Sequence, residues 1–599
     1  MLLIDFTNAF NLVDGSAMLK EDNLHCPNIY KWVEFCYSHP ARLYYNEHTL
    51  STTKGVQQGD PLGPLFFALT LHPLAIKIAA RCALDFHAWY LDDGTIAGDT
   101  LEVAKALKII QKEGPERGLV VNINKTEIFW PSPDPRSNMV GVFPSTISRH
   151  VLGVKLLGRS FSQDQLYCSN MVVSRVEKTV HLMSKVQQMN DSQCELLLLR
   201  NCIGVSKLYF TLRTTNPMAT QYATSLYDQH LIRFLRQLVV EDDAGFGPVR
   251  QRLATLPIKY GGFGVYTMED TGKYCYLASY AQTLSLQHNI LKLASPSELS
   301  TCYEYALQTF TQAYGTMFSN FDIRDAAPQF MKSLAAKYFD FVKETLPLNE
   351  REGILWQHNR EKHAMDFLKS IPIVGLNQTV GTRQLSAVLQ YRLGIPFFEA
   401  GSSCSVCRRP IDQYGDHAIH CASEVGIKFR HDMVRDGFAD ICYKGGVAAR
   451  KEASLGFLTN SSKSAKPADV LVYNWIDGKD VCFDVTGVSP FTSARTRSFT
   501  PGHAISAAVS RKLHKYQDLC ARHGYDFQVL TFTSLGELSE DTITFIKRLR
   551  NCFVRNDTNY KIGNSLFHKI AIIIQKGVDA QLVARLPTIS CNIDLSIYE

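Results

Sequence analysis

The chain has 599 residues, about four times a typical domain of ~150, so several domains are expected rather than one. Hydrophobic residues make up 45% and charged residues 20%, with 37 Gly and 23 Pro spread without period, which excludes collagen-like, coiled-coil and disordered polymers. Sixty-three Lys and Arg against 57 Asp and Glu leave a net charge of +6, a mild basic excess that permits nucleic acid as a partner without arguing for it.

In chain order, Leu2 to Phe6 reads as a strand, and its Asp5 and lack of a basic flank argue against a secretory signal. The stretch from Pro61 to about Ala83 reads as a helix that Pro61 or Pro64 begins. Phe86 to Tyr90 and Gly94 to Gly98 form a predicted hairpin with Leu91, Asp92 and Asp93 at its turn, and Val103 to Gln111 is a second helix. From about 176 to 345 the period is helical, with breaks at Thr215-Asn216-Pro217 and Lys259-Tyr260-Gly261-Gly262. A Gly/Ser/Cys/His-rich island spans 401 to 425, and beyond it the pattern helix, strand, strand, helix, strand predicts a separate α/β unit. No apolar run reaches the roughly 18 residues of a membrane span, the nearest candidate being Ile570 to Ile574, so a soluble intracellular protein without a membrane partner is expected. Sixteen cysteines, scattered singly apart from the island, suit a reducing compartment better than a disulfide scaffold.

Asp5 ends an apolar strand, and Asp92 and Asp93 sit together on a turn. Side-by-side carboxylates repel unless a cation neutralises them, and magnesium, a hard ion that takes oxygen ligands, fits best. If the strand of Asp5 lies beside the hairpin, the three acids converge where two ions could activate a 3′-hydroxyl and neutralise a leaving pyrophosphate. A solvated turn is the plain alternative for Asp-Asp.

The segments Asp5-Phe6-Thr7-Asn8-Ala9-Phe10, Gln58-Gly59-Asp60-Pro61-Leu62-Gly63-Pro64 and Tyr90-Leu91-Asp92-Asp93 resemble motifs A, B and C of reverse transcriptases, in that family's order and spacing. Gly118 through Asn124, Lys125 and Thr126 look like motif D, and Leu152-Gly153-Val154-Lys155-Leu156-Leu157-Gly158 like motif E. The resemblance covers roughly residues 1–160, a palm, and the helical text over 161–280 is similar to the thumb of non-LTR retrotransposon polymerases. It implies that Asp5, Asp92 and Asp93 hold two magnesium ions and that Phe10 stacks under the incoming sugar and excludes a 2′-hydroxyl. It also implies that Gln58 and Gly59 approach the nucleotide, and that Lys125 protonates the leaving pyrophosphate or offsets its charge. The implied partners are an RNA template, a DNA primer or target and deoxynucleoside triphosphates, and the implied place is the nucleus, with the cytoplasm. The chain opens four residues before Asp5, where the family carries a fingers subdomain, so a palm truncated before motif A is expected.

Residues 281–400 read only as a helical connection. In the island, Cys404-x2-Cys407 is followed by His417, His420 and Cys421, soft ligands within 18 residues that suit a closed tetrahedral zinc site. The chosen set is Cys404, Cys407, His417 and Cys421, with His420 as the competing imidazole. The order resembles the knuckle that follows the polymerase in retrotransposons carrying a restriction-enzyme-like endonuclease.

Over 426–599, Lys466-Pro467-Ala468-Asp469 introduces an apolar run, and Asp484 follows Asp469 with fourteen residues between. The two acids could meet across a hairpin and hold a metal that activates water, with Glu452 joining them. A helix from Ser506 to Gly524 offers Lys512 or Lys515, near Tyr516 and Leu519, to steady a phosphate. The arrangement resembles the endonuclease of those retrotransposons, although Ala468 interrupts the Pro-Asp pair and Thr486 stands where related nucleases often carry lysine. The resulting expectation is a multidomain α+β protein: a palm, a helical thumb, a zinc knuckle and a C-terminal α/β restriction-endonuclease-like domain. Its expected work is RNA-directed DNA synthesis with DNA nicking. The alternative is a catalytically inactive, truncated or co-opted nucleic-acid-binding remnant.

Overall fold

A computed structural model describes the chain except positions 53, 58, 242–244, 292–300, 315–335, 337–339, 341, 456–465, 493–499, 501, 556–564 and 587–599. The chain divides into two compact units, Met1–Val172 and Val173–Glu599.

In the first unit, the apolar triplet β1 (Leu2–Ile4) buries Leu2 and Ile4 and becomes the centre of a five-stranded sheet. Helices α1 (Ala9–Leu12), α2 (Gly15–His25) and α3 (Pro27–Tyr37) follow, then a hairpin of β2 (Ala41–Tyr45) and β3 (His48–Thr52) that the sequence reading did not foresee. Helix α4 (Gly63–Arg81) begins with Pro64 in its first turn, and its buried Phe67, Leu71, Leu74 and Ile78 recur at helical spacing. It meets the length and apolarity of a membrane span, contrary to the expectation that no segment does. The apolar face packs into the core of this unit with Val13, Ile96, Leu107 and Ile110, and burying a large aliphatic or aromatic side chain is worth roughly 1.5–3 kcal/mol.

Strands β4 (Leu84–Tyr90) and β5 (Asp93–Gly98) form the predicted hairpin, with a two-residue turn at Leu91 and Asp92. Asp93 therefore belongs to the strand, not to the turn, because it pairs with Tyr90. Asp99 caps α5 (Thr100–Glu113), its Oδ1 accepting from the Leu101 N–H at 2.9 Å. With β6 (Glu127–Phe129) and β7 (Ser148–His150) the sheet order is β4-β5-β1-β6-β7, antiparallel except for β6 with β7. A separate hairpin, β8 (Val154–Leu156) and β9 (Arg159–Phe161), turns at Leu157 and Gly158 where motif E was read.

The second unit opens with helices that break where predicted, between Tyr209–Thr214 and Pro217–Val240 and again before Met268–Leu291. Its C-terminal part runs helix Ile427–Lys444, β10 (Ala449–Lys451), β11 (Val470–Ile476), β12 (Lys479–Val488), helix His503–Arg522 and β13 (Asp526–Thr533), then helices Glu540–Arg555 and Leu566–Val583. Strand β10 and the last two helices are additions to the predicted order. The sheet order is β10-β11-β12-β13, with β12 and β13 parallel and joined by helix His503–Arg522, which packs on both. Residues 173–599 form one body: the island's Cys404, Ile411, Ala418 and Cys421 share a core with Leu355, Tyr391, Leu535, Val578 and Leu582. The segment read as a mere connection thus supplies part of the wall against which the island folds.

Candidate active sites and metal centre

Strand pairing builds the first site. β1 and β5 pair antiparallel with Ile4 opposite Gly94, so the register, carried one residue further, sets Asp5 opposite Asp93. Asp92 is on the adjoining turn, which Leu91 enters with a positive φ of 57°. Gly94 is required there, because a Cβ would stand 2.3 Å from the Trp89 ring, which itself stacks on Phe6 at 6.0 Å. Desolvation, and then the neighbouring Asp92 and Asp5, push the Asp93 carboxyl above its ordinary value. Among the described residues none of these three carboxylates is in an ion pair, and their oxygens are of the kind magnesium takes as ligands.

The motif D loop is fastened to Asp5. The Asn122 N–H donates to the Asp5 carbonyl at 2.8 Å, and the Asp5 N–H donates to Thr126 Oγ1 at 3.4 Å. Lys125, next to Thr126, is exposed. Phe10 stacks on Phe67 with centroids 4.6 Å apart, and its carbonyl accepts from the Val56 N–H at 2.7 Å, which draws the segment before Gly59 onto α1. Gly59 has φ 96° and open space at its Cβ position, whereas Gln58 lies outside the described residues.

The second site repeats the device. β11 and β12 pair with Val470 opposite Phe483, so the next pair in register is Asp469 and Asp484. β10 extends the row, since the Glu452 N–H donates to the Asp469 carbonyl at 2.9 Å. The Glu452 carboxylate pairs with Arg435 of helix Ile427–Lys444. Asp484 is buried: its Oδ2 accepts from Lys512 Nζ at 2.8 Å and its Oδ1 from Thr486 Oγ1 at 2.6 Å. Lys515 instead places its ammonium 4.6 Å from the Tyr516 ring centroid, so the lysine of the site is Lys512. Thr486, where the resemblance led to an expected lysine, serves Asp484 as a donor. Ala468, the other departure, is buried with Leu471, Cys482 and Tyr516, while the half-buried Asp469 keeps to the site.

Asp469 has a partner that the sequence reading missed. Its Oδ2 accepts from the Val485 N–H at 2.8 Å and lies 3.2 Å from His431 Nε2, while His431 Nδ1 lies 3.1 Å from Asp432 Oδ1. Burial pushes Asp469 up, but His431, the Val485 N–H and Lys512 hold it below the usual carboxylate value. Asp484 is raised, by burial first and with Asp469 contributing, against Lys512 and Thr486. The hydrogen bond to Asp469 raises His431 against its burial. No local signal marked His431, which lies 38 residues before Asp469 on another element.

The third site is the island. The ligand atoms of Cys404, Cys407, His417 and Cys421 all lie within 4.8 Å of one another, which suits a tetrahedral ion with ~2.3 Å bonds to sulfur. The Cys404–Arg409 turn closes through the Cys404 N–H to the Arg409 carbonyl at 2.7 Å, with Arg408 at φ 62°. Asp412 fixes the other side, accepting from the Asp416 N–H at 3.0 Å and the His417 N–H at 2.6 Å. Arg351 braces it further with a 2.9 Å salt bridge to Asp416. His420 is turned away, its Nδ1 bonding the Asp416 carbonyl at 2.7 Å, and this leaves His417 as the imidazole of the group. Burial opposes ionisation of Cys421, yet Arg585 and the Ser423 N–H bring its thiol down to about 7.

Residues 1–159 match the family model described as reverse transcriptase (RNA-dependent DNA polymerase). The chain is also similar to the "Retrotransposable element SLACS 132 kDa protein" of Trypanosoma brucei gambiense, 23% identical over 298 residues that cover 46% of this chain. The match spans 23% of that relative's length. The sheet that carries Asp5, Asp92 and Asp93 lies within the matched stretch, and residues 1–159 are a reverse transcriptase domain.

Proposed function

We propose that the chain is an RNA-directed DNA polymerase that also nicks DNA, the two activities residing in the carboxylate sites of its two units. The single observation that carries the first is the convergence of Asp5 with Asp92 and Asp93 in a cluster with no ion-paired cation among the described residues. The three aspartates would hold two magnesium ions, which when bound supply charge neutralisation at the attacking 3′-hydroxyl and the leaving pyrophosphate. The side chains do the rest. Phe10, held by Phe67, would lie under the sugar of a deoxynucleoside triphosphate and leave no room for a 2′-hydroxyl. Gln58 and Gly59 would approach that nucleotide, and Lys125 would deliver a proton or a positive charge to the pyrophosphate. An RNA template and a DNA primer are the macromolecular substrates.

For nicking, Asp469 and Asp484 would hold magnesium, which supplies an activated water, while Lys512 neutralises charge on the scissile phosphate. The register that sets the two aspartates opposite one another supports this reading. Zinc in the Cys404, Cys407, His417 and Cys421 group would be structural. Nuclear DNA would be the target of the nicking.

Primer extension on an RNA template with magnesium and deoxynucleotides, with nicking of duplex DNA scored in parallel, tests both. Synthesis lost in the Asp92→Ala, Asp93→Ala double variant and nicking lost in Asp469→Ala are the expected results. Folded wild-type protein that binds nucleic acid without either activity would leave a nucleic-acid-binding remnant.

A further inference from the structure

We infer that His431 is a positioning residue of the nuclease site, clamping Oδ2 of Asp469 so that Oδ1 is kept for a divalent cation. The inference rests on the proposed nicking activity and goes beyond it in naming what orients the acid. Three observations carry it. First, His431 Nε2 and the Val485 N–H both meet the same oxygen, at 3.2 and 2.8 Å, and among the described residues Oδ1 receives no hydrogen bond. A carboxylate held by two donors on one oxygen cannot rotate, and fixing a ligand in this way is what raises metal affinity at other sites. Second, His431 is itself fixed from behind by Asp432 Oδ1, 3.1 Å from Nδ1.

Third, the helix that carries it is pinned along its length. Its first residue, Ile427, donates its N–H to the carbonyl of Cys421 at 3.1 Å. Arg430, one residue before His431, is buried and donates to Gln581 at 2.8 Å, and Arg435 pairs with Asp436 and Glu452. His431 therefore reaches across from a rigid element to a different one, with its side chain only 27% exposed. A surface ion pair formed by chance would have neither the second donor on the same oxygen nor the backing carboxylate.

The test uses the full chain and two readouts: manganese binding followed by electron paramagnetic resonance, and DNA nicking as a function of cation concentration. His431→Ala is expected to raise the half-saturating cation concentration about tenfold while the rate at saturating cation stays within about threefold. His431→Gln, whose amide can donate to Oδ2, is expected to restore half-saturation to near the wild-type value. Unchanged half-saturation in His431→Ala would overturn the inference. So would a His431→Gln variant as defective as His431→Ala, since the imidazole would then be a ligand rather than a clamp. Wild-type protein whose manganese binding is indifferent to Asp469→Ala, and which does not nick, would instead remove the nuclease reading and the inference with it. Wild-type nicking with a silent His431→Ala would remove the inference alone.

Discussion

The two carboxylate sites are made by the same operation and differ in the charges set beside their acids. In each, one aspartate at a strand end is set opposite a second by an antiparallel register carried one pair further, Asp5 with Asp93 and Asp469 with Asp484. Around Asp93 the nearest charges are Asp92 and Asp5, and they push its carboxyl up. Around Asp469 and Asp484 the fold supplies the Lys512 ammonium and the His431 imidazole. Geometry alone therefore does not fix what a pair of acids requires. At the first cluster no described side chain offsets the acids, whereas at the second Lys512 and His431 lower Asp469 while burial and Asp469 still raise Asp484.

The sharpest way to break the comparison is at the first cluster. Replacing Asp92 and Asp93 with alanine should lower DNA synthesis by about three orders of magnitude, ~4 kcal/mol of barrier, and leave nicking at the wild-type rate. Parallel loss of nicking would mean that the two sites are not independent.

Zinc removal tests the second unit. The island's Cys404, Cys407 and Cys421 pack in a core with Tyr391, Val578 and Leu582, and the Cys421 carbonyl receives the first N–H of helix Ile427–Lys444. Chelation should therefore cost hydrogen-exchange protection across Ile427–Lys444 and Leu566–Val583, with zinc loss measured alongside. Protection of α4 in the first unit should persist. A knuckle that merely hangs from the surface would lose only its own protection.

Lys512 and Lys515 give a finer contrast. Lys512→Ala leaves the buried Asp484 without its cation and should destabilise the second unit by about 2 kcal/mol in chemical unfolding, besides abolishing nicking. Lys515→Ala removes a charge that rests on Tyr516 and should change stability by less than ~0.5 kcal/mol. Spacing along a helix offered both lysines equally, and only the packing of the helix on β12 and β13 distinguishes them.

That is the general limit of what could be read in advance. Acids at strand ends, the hairpin that carries Asp92 and Asp93, the clustered thiols and the helix over 63–81 were legible because each is a local pattern. What was not legible is long-range: His431 reaching Asp469 from 38 residues away, Arg351 bracing Asp416, and residues 350–393 forming a wall for the island. The choice between His417 and His420 turned on one helical turn, in which His420 Nδ1 bonds the Asp416 carbonyl. Glu452 follows β10, and its side chain pairs with Arg435, a partner 17 residues away that no local pattern marked.

The smallest effects carry the comparison's sign. Asp469 is held below the ordinary carboxylate value near 3.8, so its ionisation favours folding. That contribution is present above the unfolded value and is lost as pH falls through the folded one. Asp93 is raised above the same value, so its ionisation opposes folding. The penalty is absent at low pH and appears as pH rises from the unfolded value through the folded one. In cation-free protein at neutral pH, Asp469→Asn should therefore destabilise its unit, by about 1 kcal/mol once the hydrogen bonds to His431 and Val485 are weakened. Asp93→Asn should stabilise its own unit slightly, by less given the exposure of the group. Magnesium should erase the advantage of Asp93→Asn, because it relieves the repulsion that the substitution removes. Thermal unfolding of both variants with and without magnesium measures the two signs directly. If both substitutions shifted stability in the same direction, the two clusters would share one electrostatic design, and the contrast drawn from Lys512 and His431 would be wrong.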